Sequence, residues 1–356
     1  MNSGVDMARR LRIATFNLES LDDRVQAGGD FADRLAVLAP QLTRLRADII
    51  CLQEVNAREE SRHGPRQLTA LDSLLEQSGY QSYHRVVSVN RAGQRFSDRH
   101  NLVILSRLPI LDQSQTWHEL VAPPRYDARS VGGEEVLIEW DRPLLQATVA
   151  LDEGQRLHVL NLHLRAPRAA FLAGQKEHGV WSSVGSWAEG FFLATVKGAG
   201  QALEARLAVE TIFDRDPAAL ICVCGDFNAD DREAPLRTLR GDEEDTCNGH
   251  LAARTLVPVE RSLPDSQRHS VIHHGRRLML DHILVSRRLL GFFVASEAHN
   301  EALGDELVSP TLVQWPPDSY HAPLVAEFAM PHKQRPSTTS PHDRLDRSPK
   351  EGGAPP

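Results

Sequence analysis

A chain of 356 residues is long enough for one large domain or two ordinary ones, with a core that needs no covalent staples. Its 41% hydrophobic and 25% charged residues are ordinary for a globular protein, and a net charge of -8 excludes affinity built mainly on global positive charge. Aromatic residues at 6% argue against a broad base-stacking platform, and four cysteines (Cys51, Cys222, Cys224, Cys247) are too few for a disulfide scaffold.

In chain order, Met1–Arg10 reads as a flexible start without the apolar stretch of a secretory signal. Arg12–Phe16 is the first expected strand, and Phe31–Leu45 follows with apolar residues at helical spacing. Ile49–Leu52 is the second strand and Leu68–Leu75 the second amphipathic stretch. Then strand follows strand: Leu102–Leu105, Leu144–Val149 and Leu157–Leu160. Trp187–Phe213 is a long helix, followed by strands at Leu220–Cys224, His282–Val285 and Pro323–Phe328. The closing stretch, Pro331–Pro356, holds six prolines and almost nothing apolar, so a disordered tail is expected there. The folded part is thus one domain over residues 11–330. No apolar run reaches membrane-spanning length, and a cytoplasmic setting is expected. Strict strand–helix alternation fails after about residue 90. That favours an α/β fold of two mixed or antiparallel sheets with helices outside, over a doubly wound parallel sheet.

Polar residues gather at the ends of these strands. Asn17-Leu18-Glu19 follows the first, Gln53-Glu54 the second, Asn161-Leu162-His163 the Leu157–Leu160 strand, and Gly225-Asp226-Phe227-Asn228 the Leu220–Cys224 strand. Asp281-His282 and His321-Ala322-Pro323 open the last two strands. One such end is ordinarily a turn, but six in this order are hard to attribute to turns. Carboxylates bind hard cations through oxygen, amides orient phosphoryl oxygens or water, and a His beside an Asp is a poised acid, base or clamp. Together they describe metal-assisted attack of water on phosphorus.

The stretches Thr15-Phe16-Asn17, Leu52-Gln53-Glu54, Asn101–Arg107 (NLVILSR), Asn161–Leu164 (NLHL), Gly225–Asn228 (GDFN), Leu280–Leu284 (LDHIL) and His321–Leu324 (HAPL) resemble the endonuclease/exonuclease/phosphatase family, the exodeoxyribonuclease III and pancreatic-type deoxyribonuclease-like superfamily. The resemblance implies a four-layer α/β sandwich: two packed mixed sheets flanked by helices. It implies Mg²⁺ (or Mn²⁺) as cofactor, with Glu54 as the main metal ligand; Glu19, two after Asn17, departs from the pattern, since several relatives have Asp there and others neither, and it is expected to reach the metal through one extra methylene. Asn17 resembles the asparagine beside metal and phosphate, and Asn161 of NLHL is assigned with it to the substrate phosphate. Arg165, just after NLHL, lies where its side chain reaches a substrate phosphate, with a plain surface arginine as the alternative. Asp226 and Asn228 resemble the pair that positions or deprotonates water. His163 resembles the histidine at the scissile phosphate or leaving oxygen, and His321 the phosphate histidine oriented by Asp281. Whether aspartate or histidine takes the water's proton is left open. One departure stands out: many members carry Asp directly before the last His, and here that residue is Tyr320, with Asp318 an awkward substitute.

The remaining features have plainer readings. His273-His274-Gly275 is expected to be a hairpin turn. Arg142, in Trp140-Asp141-Arg142-Pro143, carries a fainter version of the Arg165 signal. The rings at Trp181, Trp187, Phe191 and Phe192 are expected on the packed face of the long helix. Gly198-Ala199-Gly200 lacks a dinucleotide fingerprint, and no Walker-type motif is present. Substrate choice is expected to lie in residues 117–135 and 165–192. The partner implied is a phosphate ester. A small phosphodiester or phosphomonoester is slightly favoured by the acidic charge, with nucleic acid as the alternative and a non-catalytic binding protein on the same fold as a further one. No obligate protein partner is inferred.

Overall fold

The computed structural model describes residues 9–23, 30–59, 64–151, 154–306 and 318–331. Two six-stranded sheets dominate it. Their strands, numbered in chain order, are β1 (Arg9–Leu21), β2 (Ile49–Val55), β3 (His84–Val87), β4 (Asn101–Ser106), β5 (Ile110–Thr116), β6 (Leu144–Ala150), β7 (Arg156–His163), β8 (Leu220–Asp226), β9 (Leu256–Pro258), β10 (Asp281–Ser286), β11 (Phe293–Ala298) and β12 (Leu324–Met330). The first sheet runs β11-β12-β1-β2-β4-β3 and the second β9-β10-β8-β7-β6-β5. Each has one parallel pair, β1 with β2 and β7 with β8. The other neighbours are antiparallel.

Central strands such as Ile49–Val55 are buried on both faces, because one face meets the other sheet and the opposite face meets helices. Ile13, Cys51, Ile104, Val159, Cys222 and Ile283 belong to the core between the sheets. On the outside of the first sheet, α1 (Phe31–Leu45) and α2 (Thr69–Ser78) bury Leu38, Leu42, Leu71 and Leu74 against Phe16, Ile50 and Val103. Helix α3 (Val184–Arg215) and helix α4 (Ala234–Arg240) cover the second sheet with Val209, Phe213 and Leu236. The result is the expected four-layer sandwich. Helix starts follow local chemistry: Asp30 accepts from the Ala32 N–H, and Ser183 forms a capping box with Ser186. Gly200 faces the Trp140 ring so closely that a Cβ there would lie 2.3 Å from it, so this glycine seats an indole.

All eight strands expected from apolar runs are central strands. The four that were not expected, β3, β5, β9 and β11, are the four sheet edges. Edge strands are half solvated, so β5 reads ILDQSQT and carries no apolar alternation. β1 begins earlier than expected: Arg9 and Arg10 pair with Met330 and Ala329, so they belong to the sheet and not to a loose terminus. Residues 1–8 and 332–356, including the proposed tail beyond Pro331, lie outside the described residues. Val271–His273 and Arg276–Leu278 do form a hairpin, with His274 and Gly275 at positive φ.

A polar layer crosses the sandwich beneath the site. The Gln53 amide donates to Asn161 Oδ1 at 2.8 Å, to Thr15 Oγ1 at 3.1 Å and to the Cys51 carbonyl at 3.1 Å. The Asn161 amide donates across to the Leu52 and Val103 carbonyls at 3.0 and 2.9 Å. Gln53 and Asn161 are fully buried, so each bond replaces one to water. Truncation of Asn161 would leave the Gln53 donor and two carbonyls poorly paired. Asn161→Ala is expected to lower unfolding free energy by about 2–4 kcal/mol, measured by urea titration. A loss under about 1 kcal/mol would remove the layer from the sheet-to-sheet interlock.

Candidate active site

Strand register assembles half of the site. His163 pairs with Asp226 across β7 and β8, and Asp226 pairs with Asp281 across β8 and β10. These three residues form one row across the second sheet. The next row inward on the same face of β7 and β8 is Asn161 and Cys224, which is why Asn161 sits in the polar layer and not at a substrate phosphate. That corrects its expected role: side chains two apart share a face but lie about 7 Å apart along the strand.

The first sheet supplies Asn17, Glu19, Glu54 and, just before β12, His321. Register shifts interrupt β1 between Asn17 and Leu21 and β2 between Leu52 and Val55. Glu19, Ser20, Glu54, His100 and Asn228 all have positive φ, although none is glycine, and all line one cleft. Such backbone is costly and re-aims side chains out of the strand alternation. Gly225 in GDFN has φ +145, and a Cβ there would lie 1.9 Å from the Leu162 carbonyl oxygen, so the strand end bearing Asp226 requires glycine.

The side chains converge. Asn17 Nδ2 donates to Asp226 Oδ2 at 2.9 Å and to Glu54 Oε1 at 3.3 Å. His163 Nε2 lies 3.2 Å from Asp226 Oδ2 and 3.7 Å from Glu54 Oε1. Asn228 donates its backbone N–H to Asp226 Oδ1 at 2.8 Å and its amide to the Leu164 carbonyl at 3.1 Å. His321 Nδ1 is 2.8 Å from Asp281 Oδ2, and its Nε2 is 4.0 Å from Asp226 Oδ2.

Charge sets the protonation states. Burial alone would raise the Glu54 carboxyl, but the facing His163, with Arg142 and His321, outweighs it and draws it down to about 2. Burial would also raise Asp226, yet His163 and His321 hold it below the usual carboxylate range. Asp281 is raised by burial and by Asp226, against the pull of His321. Burial would lower His321, and Asp281 with Asp226 reverses this, taking it to about 10. Behind the row, His282 joins Glu260 at 2.6 Å and the Ala229 carbonyl at 2.8 Å, pinning the loop that carries Asn228.

The donor set fits a hard divalent cation. Glu54 and Asp226 offer carboxylate oxygens within reach of the Asn17 amide, and among the described residues no lysine or arginine is bonded to either. Among the described residues, two groups each bring their ligand-type atoms within 4.8 Å of one another: Glu54, His100 and His163 in one, Asp226, Asp281 and His321 in the other. Glu19 is less direct. Its carboxylate accepts the Tyr320 N–H at 2.7 Å, and burial raises its pKa. Asp318 accepts from Gln41 of α1 at 2.8 Å, so it is turned away and does not replace the carboxylate missing at Tyr320.

The cleft holds about 1270 Å³. Arg165 lines it and lies 3.3 Å from Asp141. Arg142, the fainter sequence signal, is half-buried at the cleft beside Glu54, and His100 had no sequence reading although it directly precedes NLVILSR. Of the loops expected to select substrate, only Arg165–Arg168 reach the cleft, and none of 117–135 does. Those residues dock on α3 instead: Glu204 accepts the Leu120 N–H, and Glu189 accepts the Arg129 and Ser130 N–H groups. The outer wall comes from 230–233 and 258–280. The rings on α3 are not packed as expected. Trp187, Phe191 and Phe192 are 44%, 38% and 47% exposed, because this end of α3 projects beyond the second sheet.

The raised His321 pKa has a definite sign. A folded value of about 10 against an ordinary 6.5 means its stabilisation is complete below pH 6.5 and is lost as pH rises through 10. In EDTA, the difference in urea midpoint between the wild type and His321→Asn should therefore shrink steadily from pH 6.5 to pH 10. A difference that stays constant over that window would show that the imidazole is not held charged.

A sequence model described as the Endonuclease/Exonuclease/phosphatase family matches residues 14–321. No curated protein matches the sequence. Solved structures share the fold. Truncated TDP2 of Caenorhabditis elegans is 14% identical, with TM-score 0.54 over 90% of this chain and 98% of that one. An endonuclease/exonuclease/phosphatase from Bacteroides vulgatus is 16% identical, with TM-score 0.54 over 90% and 99%. An AP endonuclease from Archaeoglobus fulgidus is 19% identical, with TM-score 0.50 over 89% and 99%. With a match running from the strand before Asn17 to His321 itself, the chain belongs to the endonuclease/exonuclease/phosphatase family, whose enzymes are divalent-metal-dependent phosphoesterases and nucleases.

Proposed function

We propose that the protein is a hydrolase of phosphoester bonds that uses Mg²⁺ or Mn²⁺ and directs water onto phosphorus. The observation that carries this reading is the convergence of Glu54, Asp226, His163 and His321 at one cleft, from two sheets and four strand ends. Glu54 and Asp226 would hold the cation, with Asn17 bonded to both. The cation, when bound, would neutralise charge on the phosphoryl oxygens. Asp226 stays ionised and accepts from Asn228, and a carboxylate held so low is a weak base. Orienting water suits it better than deprotonating it. His321, kept protonated by Asp281, presents Nε2–H toward Asp226 and the developing charge on phosphorus. His163 approaches both carboxylates through Nε2 and faces the same reacting group. Arg142 supplies a fixed guanidinium, and Arg165 another at the cleft wall.

For the substrate, charge balance favours a phosphodiester or phosphomonoester of modest size. Seven arginines line the cleft, but so do nine carboxylates. Arg168, Arg261 and Arg268 are paired with Glu306, Asp231 and Asp265. A nuclease held by phosphate charge needs an unbalanced basic track. The nuclease reading is kept by size, since about 1270 Å³ exceeds the ~300–1,000 Å³ usual for small-molecule pockets.

The test is a rate panel with Mg²⁺, Mn²⁺ and EDTA. It compares bis-p-nitrophenyl phosphate, p-nitrophenyl phosphate, single- and double-stranded DNA and RNA, with Asp226→Asn as blank. Metal-dependent turnover of the small esters, lost by about 10²-fold or more in the blank, is the expected result. Nucleic-acid cleavage alone would turn the assignment to a nuclease. Glu54→Gln should weaken Mn²⁺ binding measured by calorimetry by at least about tenfold, and an unchanged isotherm would remove Glu54 as ligand.

A further inference from the structure

The phosphoesterase reading leaves His100 without a role, yet its position is built. Its φ of +59 is uncommon for a residue with a side chain. Hydrogen bonds hold the turn around it: the His100 N–H donates to Asn56 Oδ1 at 3.1 Å, the Ser97 N–H donates to Asn101 Oδ1 at 2.8 Å, and Asn101 Nδ2 donates to the Val55 carbonyl at 2.9 Å. The backbone thereby turns the imidazole into the cleft, parallel to the His163 ring at 8° with centroids 6.3 Å apart. A ring nitrogen of His100 comes within 4.8 Å of ligand atoms of Glu54 and His163. By residue type alone, two imidazoles and a carboxylate describe a transition-metal site.

Arg142 argues against that reading. Its Nη2 lies 2.7 Å from His100 Nδ1. A guanidinium has donors and no acceptor, so Nδ1 must accept. The one ring proton of the neutral imidazole then sits on Nε2. That nitrogen has no lone pair for a cation, and among the described residues it forms no hydrogen bond. His100 lines the cleft beside Glu54, so this N–H is a donor available to a ligand there.

We propose that His100 is a substrate-contacting residue, a neutral imidazole locked by Arg142 in the Nε2–H form, which donates to a non-bridging phosphoryl oxygen and does not ligate the metal. The assignment deepens the phosphoesterase reading and rests on it. Arg142 and His100 act as one unit, a fixed positive charge behind a neutral donor. The donor meets the anion without adding a second positive charge to that of Arg142.

Calorimetry on the full chain separates the two parts. Mn²⁺ is titrated first, then inorganic phosphate into the Mn²⁺-loaded protein, for the wild type, His100→Asn, His100→Gln and Glu54→Gln. Asparagine tolerates left-handed backbone, so His100→Asn should fold while lacking a donor at the Nε2 position. Glutamine extends an amide N–H towards that position. The expected result is Mn²⁺ affinity unchanged within about twofold in both His100 variants, phosphate affinity weakened about ten- to hundredfold in His100→Asn, and partial recovery in His100→Gln. Imidazole ¹⁵N resonances should show the His100 proton on Nε2. Loss of Mn²⁺ affinity matching that of Glu54→Gln, or a proton on Nδ1, would make His100 a ligand and overturn the proposal. Unchanged phosphate affinity in His100→Asn would overturn it as well. A wild-type protein that binds neither probe would overturn the phosphoesterase reading itself, and the His100 assignment with it.

Discussion

The two sheets are held in register by buried amides, and the rest of the site depends on that. Gln53 and Asn161 meet at 2.8 Å, and Asn161 also donates to backbone carbonyls of the opposite sheet. An apolar interface between sheets can slide, because dispersion and burial are nearly indifferent to small shifts. Hydrogen bonds are directional, and an unpaired amide at full burial is costly, so this layer admits essentially one alignment. The alignment matters one pleat above, where Asn17 and Glu54 of the first sheet must meet His163 and Asp226 of the second.

At that level the protein concentrates carboxylates and imidazoles at the floor of the cleft. Glu54, Asp226 and Asp281 would repel one another if all were ionised and unopposed. Three devices offset this: the Asn17 amide between two of them, a proton held on the Asp281–His321 pair, and the nearby Arg142 guanidinium. A divalent cation would complete the balance. Strained backbone at Glu19, Ser20, Glu54, His100 and Asn228 is the structural cost of pointing so many polar groups at one spot. The surrounding core, buried in three apolar layers, absorbs it.

Away from the centre, the long insert between β7 and β8 and the stretch before β6 form a satellite around the free end of α3. Glu189 and Glu204 accept backbone N–H groups from the incoming loop, and Ile138, Trp140, Leu172 and Leu193 make a small core of their own. The cleft is walled instead by residues after β8 and by the hairpin before β10. In this architecture, residues far apart along the chain and close to the GDFN loop have the first opportunity to touch a substrate.

The sequence by itself determined the family, the eight central strands, the four layers and the identity of most groups at the cleft. Apolar runs and short polar motifs are local signals, and burial on both faces makes them strong. Tertiary structure alone decided which of those polar residues face the cleft. Asn161 and His163 share a motif and a strand face, yet one pleat separates an inter-sheet strut from a site residue. The edge strands were invisible because half-solvated backbone imposes no pattern on side chains. His100 and Arg142 were unread or faint because their meaning lies in a contact across 42 positions, where the donor-only chemistry of one fixes the tautomer of the other.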